Sequence, residues 1–288
     1  MDPPSVPEHM VRFWRALDQL YGSVEPTWWG AVVTDRRFPA VWDANYARID
    51  VATDDLTLHD VESSLLPALG EAGTSVQHVV SFRPDATDRL LQELVERGHR
   101  LTWDLVMDLE GGPPGEHVQR VEELRAGDEL WERVETSLRL FGLDDDETVS
   151  QLASLERRVL APGGKRWFGA RDDDGTIVLL GAMLVLDDVA YIDNVVTFKH
   201  ARGQGLASAV TARMAGVART TGVAHVCLLA DPYEDAVVGM YERLGFRGVG
   251  TIAATRGSAR APDAEPSSRA GDAEARLVRR AARGTGPR

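Results

Sequence analysis

From Leu206 onward the apolar side chains Leu206, Val210, Met214 and Val217 recur every three or four positions, with Arg213 and Arg219 off the stripe. That spacing predicts a helix with one buried face. The same period runs through "EHMVRFWRALDQLYG", "HDVESSLLPALGEAG", "TDRLLQELVERGH", "AGDELWERVETSLRLFG", "DDETVSQLASLERRVL" and "EDAVVGMYERLGF", the last carrying Val237, Tyr241 and Leu244 on one face and stopped by Gly245. Strands are predicted at "WGAVVT", "AVWD", "YARIDVA", "SVQHVVSF", "RLTWDLVMDL", "HVQRVEEL", "VAHVCLLADP" and "FRGVGTIAAT". The stretch "KRWFGARDDDGTIVLLGAMLVLDDVAYIDNVV" reads as three antiparallel strands with turns at Asp172–Gly175 and Asp187–Asp188. The later half of the chain thus has the order β-α-α-β-β-β-α-β-α-β.

Two breaks divide the chain. The run "EGGPPGEH", Glu110 to His117, combines glycines and prolines that no helix or central strand accommodates. From Arg256 onward large apolar residues almost vanish, so that segment cannot bury enough surface to offset its ordering entropy. The expected organisation is a first unit over 1–112, a linker at 113–116, a second unit over 117–255 and a disordered tail over 256–288. The two units echo each other: "LVERGHRLTW" resembles "MYERLGFRGV", and Tyr46–Val51 sits where Tyr191–Val195 sits later. The expected fold class is α/β with a mixed, mostly antiparallel twisted sheet flanked by helices, built twice in tandem.

Composition narrows the chemistry. With 288 residues, 43% of them hydrophobic, the chain buries a sizeable core. Its formal charge of −13 argues against a nucleic-acid partner, since phosphates need a basic surface, and suits a cationic one. Cys227 is the single cysteine, which excludes internal disulfides and multi-cysteine metal cages and points to the reducing cytoplasm. No signal-like segment opens the chain, and "IVLLGAMLVL" is too short to span a membrane, so no membrane partner is expected. Lys165 and Lys199 are the only lysines among many arginines, which by itself suggests a GC-rich genome.

The stretch "VVTFKHARGQGLASAV" ends a strand, places Arg202-Gly203-Gln204-Gly205 at a turn and opens a helix at Leu206. Glycines there let the backbone approach a ligand, and the free N–H groups of the first turn favour an anion such as a pyrophosphate. Three readings fit: a tight turn without ligand, a dinucleotide site, or a coenzyme A site. The dinucleotide pattern lacks its third glycine, which is Ser208, and its acidic residue downstream.

Arg202-x-x-Gly205-x-Ala207 after an apolar strand resembles the [Q/R]-x-x-G-x-[G/A] signature of GCN5-related N-acetyltransferases (GNAT), and "MYERLGF" is similar to that family's tyrosine-bearing helix. The resemblance covers about 117–252. It implies acetyl-CoA as acyl donor, contacts at Val195, Val196 and Thr197, and a pyrophosphate held by Arg202, Gly203, Gln204, Gly205, Leu206, Ala207 and Ser208. It also implies that Tyr241 protonates the departing thiolate, with no metal required. A lysine-like amine is mostly protonated at neutral pH, so a base is useful. Asp193 shares a strand face with Tyr191, Val195 and Thr197 and is the leading candidate, with Tyr191 and His225 as further ones. A carboxylate paired with an arginine is the competing reading of Asp193.

Lys199 and Glu234 depart from the family pattern, the second at a cofactor-contacting position. The first unit lacks the glycines, has Asp54 and Asp55 where a pyrophosphate would sit, and has Leu94 in place of Tyr241. One degenerate and one competent copy is similar to the arrangement of mycothiol synthase-like tandem acetyltransferases. The expected activity is acetyl transfer to a primary amine of a small molecule or peptide by a monomer or homodimer. A catalytically silent acetyl-CoA-binding protein is the alternative.

Overall fold

In the computed structural model, residues 5–51, 55–111 and 121–258 are described; the expected linker, Asp54 and the chain beyond Ser258 lie outside them. The first half runs α1 (Glu8–Asp18), β1 (Ser23–Thr27), β2 (Gly30–Thr34), β3 (Tyr46–Ile49), α2 (Leu58–Ala72), β4 (Val76–Ser81), α3 (Pro84–Glu96) and β5 (Arg100–Leu109). The second runs β6 (Glu122–Leu124), α4 (Asp128–Leu140), α5 (Asp146–Leu155), β7 (Arg166–Arg171), β8 (Ile177–Leu186), β9 (Val189–Thr197), α6 (Leu206–Thr220), β10 (His225–Ala230), α7 (Asp235–Arg243) and β11 (Phe246–Ser258). A π turn, Glu156–Leu160, extends α5.

Three expectations are corrected. The "AVWD" segment is a 3-10 turn at Trp42–Ala44 rather than a strand, because Asn45 folds its side chain back onto the Phe38 and Val41 carbonyls. Ser23–Thr27 is a strand that the pattern did not reveal; Pro26 is tolerated because β1 is an edge. The closing strand continues past Thr255, since Arg256, Gly257 and Ser258 pair with His78, Gln77 and Val76. The tail expected from 256 therefore begins no earlier than 259.

Among the described residues, eleven strands form one mixed sheet in the order β1-β2-β3-β4-β11-β5-β10-β9-β8-β7-β6, and of these only β3–β4 and β9–β10 pair in parallel. The last strand of each half sits in the other: β5 pairs with β10 from Leu105↔Ala230 to Asp108↔Cys227, and β11 pairs with β4 from Ala253↔Ser81 to Ser258↔Val76. The two exchanged strands pair with each other from Arg100↔Arg256 to Leu109↔Phe246, with a bulge between Gly248 and Gly250.

Helices α2, α3, α6 and α7 cover one face. The other is covered at its centre by α1, whose Met10 and Phe13 share a fully buried cluster with Val106, Cys227 and Ile252. Helix α6 lies close on β8 because Gly181 leaves room: a Cβ there would meet the Met214 Cε at 2.8 Å. The predicted stripe Leu206, Val210 and Met214 is buried, which fixes the N-terminus of α6 beside the end of β9.

Strand exchange makes each half incomplete without the other. Fragments 1–111 and 121–288 expressed separately are expected to lack a cooperative thermal transition, and to regain one on co-expression. Circular dichroism melting of each fragment and of the pair checks this.

Candidate active site

The parallel pair β9–β10 is joined from Val189↔His225 to Ile192↔Leu228, and there the pairing stops. Beyond Ile192, β9 keeps only its partner β8, through Ala182↔Asp193, Leu180↔Val196 and Leu179↔Thr197. Between the first two pairs β9 carries one residue more than β8, and Asn194 takes φ +52°. That bulge bends β9 and leaves the backbone of Val195–Thr197 facing a gap towards the end of β10. The equivalent parallel pair of the first half stays closed: the Phe82 N–H donates to the Ile49 carbonyl at 2.9 Å immediately after the last β3–β4 pair.

After β9 the chain makes a short 3-10 turn, Lys199–Ala201, and enters the glycine pair. Gly203 has φ +80° and Gly205 φ +74°, a left-handed conformation that L residues adopt at a cost. A Cβ at either would meet no atom within 4 Å, so backbone conformation rather than crowding calls for glycine. Gly205 caps α6 without any side-chain hydrogen bond, leaving the N–H groups of Leu206, Ala207 and Ser208 without intrahelical acceptors. The Arg202 guanidinium bends back to the Thr197 carbonyl at 3.1 Å. The gap in the sheet and the positive helix end are therefore contiguous.

Asp193 is not a free carboxylate. Its Oδ2 accepts from Lys165 Nζ at 2.9 Å, and its Oδ1 accepts from the Asn194 N–H at 2.7 Å. Lys165 also donates to Glu156 Oε1 at 2.7 Å, which in turn accepts from Asn194 Nδ2 at 3.1 Å. Burial alone would lower the pKa of the Lys165 ammonium, but Asp193 and Glu156 outweigh it and raise the value, so the ammonium stays charged. Asp193 is therefore ion-paired, with lysine rather than the expected arginine as partner.

Tyr241 is buried and edge-on to Phe246, with ring centroids 6.0 Å apart. Burial, and then the charge of Asp193, push its hydroxyl up to about 12, so it is a proton carrier at neutral pH. Val237, expected beside it, is instead exposed. Tyr191 packs on Phe13 and Trp14 at 5.2 and 5.4 Å between ring centroids.

His225 lies at the far, paired start of β10, with Nδ1 3.4 Å from Asp108 Oδ2. The His9, Asp108 and His225 donor atoms lie within 4.8 Å of one another. The two imidazoles are stacked at 3.7 Å and 5°, however, so their in-plane lone pairs lie in parallel planes that share no metal position.

On the sheet face that carries Tyr191 and Asp193, further acids gather. Asp104 is pushed up to about 6 by burial and then by Asp231. Asp43 reaches about 6 through loss of hydration, opposed by Arg256 and reinforced by Asp193 and Asp104. Its side chain nonetheless keeps 58% of its surface accessible, so the carboxyl can be reached from solvent. A cleft of about 740 Å³ on the other side of Trp42, between Ser75, Val76, Gly98, Arg100 and Gly257, is lined by none of these acids; the Arg256 guanidinium lies over the Trp42 ring at 4.0 Å.

Residues 127–246 match the acetyltransferase (GNAT) family. A functionally unknown conserved protein from Staphylococcus epidermidis has the same fold, with a TM-score of 0.64 at 16% identity over 78% of this chain and 89% of that one. A GNAT-family protein from Novosphingobium aromaticivorans is 20% identical with a TM-score of 0.42; the match covers 55% of this chain and 64% of that one. A tandem GNAT protein from the clavulanic acid biosynthesis pathway is 11% identical with a TM-score of 0.49, over 74% and 75% of the two chains. No curated protein matches the chain.

Of the residues named from the sequence, Asp193, Val195–Thr197 and Arg202–Ser208 lie along the gap and the turn that follows it; Glu156 and Lys165, which contact Asp193 and Asn194, and Asp43 and Asp104 were not named for the site. Lys165 carried a usable signal, being one of two lysines where arginine is otherwise the rule. A buried ammonium in a site too tight for a guanidinium is one reason to keep lysine.

Replacing Lys165 by methionine leaves two carboxylates facing each other without a cation. It is expected to cost about 3–5 kcal/mol, the usual scale for breaking a buried pair. Urea denaturation of the variant against the parent measures it.

Proposed function

We propose that the chain transfers the acetyl group of acetyl-CoA to a primary amine by direct attack. The observation that carries this reading is the gap between β9 and β10, opening directly onto the glycine-capped start of α6. A pantetheine arm laid along the unpaired edge of Val195, Val196 and Thr197 gains strand-like hydrogen bonds. The pyrophosphate then meets the turn from Arg202 to Ser208, where free N–H groups and the helix dipole stabilise its charge.

In the reaction the amine nitrogen bonds to the thioester carbonyl carbon, the C–S bond breaks, and the sulfur leaves with the electron pair. Tyr241 supplies the proton to that thiolate, since a phenol near 12 is fully protonated at working pH and sits in a buried setting that disfavours a bare anion. Backbone N–H groups of the bulged segment polarise the carbonyl as charge develops on its oxygen. Asp193, held by Lys165, shapes the segment instead of taking the proton from the amine; the nitrogen releases that proton to solvent water as the amide forms, and the Tyr241 phenolate takes one back from water.

The acceptor comes from the face lined by Asp43, Asp104 and Tyr191. Accessible carboxylates there favour a small-molecule or peptide amine with a second positive centre, in keeping with the chain's negative charge. The first half, closed at Ile49–Phe82 and without a glycine turn described after β3, walls the acceptor side and binds no coenzyme. On this reading the halves are two copies of one unit, one of them silent.

Tyr241→Phe is expected to lower turnover about 10²-fold or more, the scale of a positioned acid, with little change in acetyl-CoA affinity. Free-thiol release in a panel of amines, with calorimetric titration of acetyl-CoA, tests this. Affinity without any thiol release in the parent protein would leave a binding protein in place of an enzyme.

Carboxyls that titrate near 6 are charged above that pH and neutral below it. The KM for a diamine acceptor is therefore expected to rise as pH falls through 6. Asp43→Asn is expected to raise that KM about fivefold at pH 8, the upper range for an accessible ion pair, and to leave it at the parent value at pH 5. Initial rates at both pH values check it.

A further inference from the structure

The reading above depends on a bulge that has no reason to persist unless something holds it. Asn194 sits in a left-handed conformation, and asparagine is among the few side-chain-bearing residues that tolerate one. Tolerance is not fixation. What fixes it is a buried set of contacts from outside the strand: Asn194 Nδ2 to Glu156 Oε1 at 3.1 Å, and Lys165 Nζ to both Glu156 Oε1 at 2.7 Å and Asp193 Oδ2 at 2.9 Å. The Lys165 side chain is 2% accessible and that of Glu156 9%, so water does not compete for the bond between them, while Asp193 keeps 35% of its side chain accessible.

Glu156 itself is placed by a local irregularity. It is the first residue of the π turn that extends α5, where one extra residue per turn displaces the side chains from regular helical spacing. Glu156 thereby reaches β9, while Leu152, Leu155 and Val159 of the same segment stay in the cluster formed with Phe38, Val41 and Ala44 of the first half.

We propose that Glu156 and Lys165 are positioning residues for acetyl transfer. They clamp the Asp193–Asn194 bulge so that the backbone of Val195–Thr197 is held ready for the thioester, and Asp193 acts through Lys165 as part of that clamp. The proposal rests on the acetyl-CoA reading of the gap. It assigns no chemistry to the three side chains beyond holding the strand.

The test compares the full-length parent with Glu156→Ala, Glu156→Gln, Asn194→Gly and a matched control, Leu65→Ala. The control lies in the separate core under α2 and loses stability without touching the clamp. Readouts are acetyl-CoA Kd by calorimetry, kcat and KM from thiol release, melting temperature, and amide hydrogen exchange of Asn194–Thr197.

Glu156→Ala is expected to weaken acetyl-CoA binding about tenfold or more, as for loss of a charge-assisted hydrogen bond, and to speed exchange at 194–197. Glu156→Gln, which keeps an acceptor for Lys165, is expected to recover most of the affinity. Leu65→Ala is expected to melt lower with unchanged Kd. If Glu156→Ala does not fold, Asn194→Gly carries the test: glycine accepts the φ without strain but drops the tether, so the same loss of affinity is expected at near-parent stability. Parent-like Kd and exchange in the folded variants, or losses that merely follow melting temperature as in the control, overturn the clamp and leave the acetyl-CoA reading standing. A parent protein that binds no acetyl-CoA overturns both.

Discussion

The β5–β11 ladder is the interaction on which the rest of the molecule depends. These two strands are paired along ten positions and lie at the centre of the sheet, each bordered by a strand of the opposite half. Remove either, and the other has an open edge in the middle of a buried layer, where unpaired N–H and C=O groups are costly. The position of β10 relative to β9, and hence the gap between them, is therefore set partly by a strand from the first hundred residues. Helix α1 reinforces this by packing across β5, β10 and β11 on one face.

Two parallel strand pairs built on similar sequence patterns have opposite fates. In the first half Tyr46, Arg48 and Asp50 are spent on structure: the Tyr46 hydroxyl donates to Asp18 Oδ1 at 2.6 Å, Arg48 pairs with Asp18, and Asp50 Oδ2 accepts from Arg48 at 3.0 Å and Arg15 at 2.9 Å. That network ties α1 to β3 and leaves no room for a bulge. In the second half the equivalent stretch has its polar residues drawn sideways by Lys165 and Glu156, and the strand opens. A shift of hydrogen-bond partners separates a closed pair from an open one.

The helices, the turn at Gly203–Gly205 and Tyr241 were legible because each depends on local rules: apolar spacing, left-handed glycines, a helix stop. Strand β1 was hidden because Pro26 breaks the local signal while an edge position forgives it. The exchange of β5 and β11 could not be read, since an apolar strand looks the same whichever neighbour it joins. Asp193 was found by counting along its strand, but its partner came from a residue 28 positions earlier, beyond any local spacing. Asp43 was misplaced for a similar reason, its turn being shaped by the buried Asn45 side chain and not by the alternation of "AVWD".

Strand β11 also sets the timing of folding. Its partners on β4 precede it by up to 182 residues, as in Ser258↔Val76, so the first half leaves the ribosome with β4 lacking its neighbour. At 5–20 residues per second this lasts roughly 9–36 s. Throughout that interval the β4 edge that β11 will cover stays open, and a strand made long after it completes it.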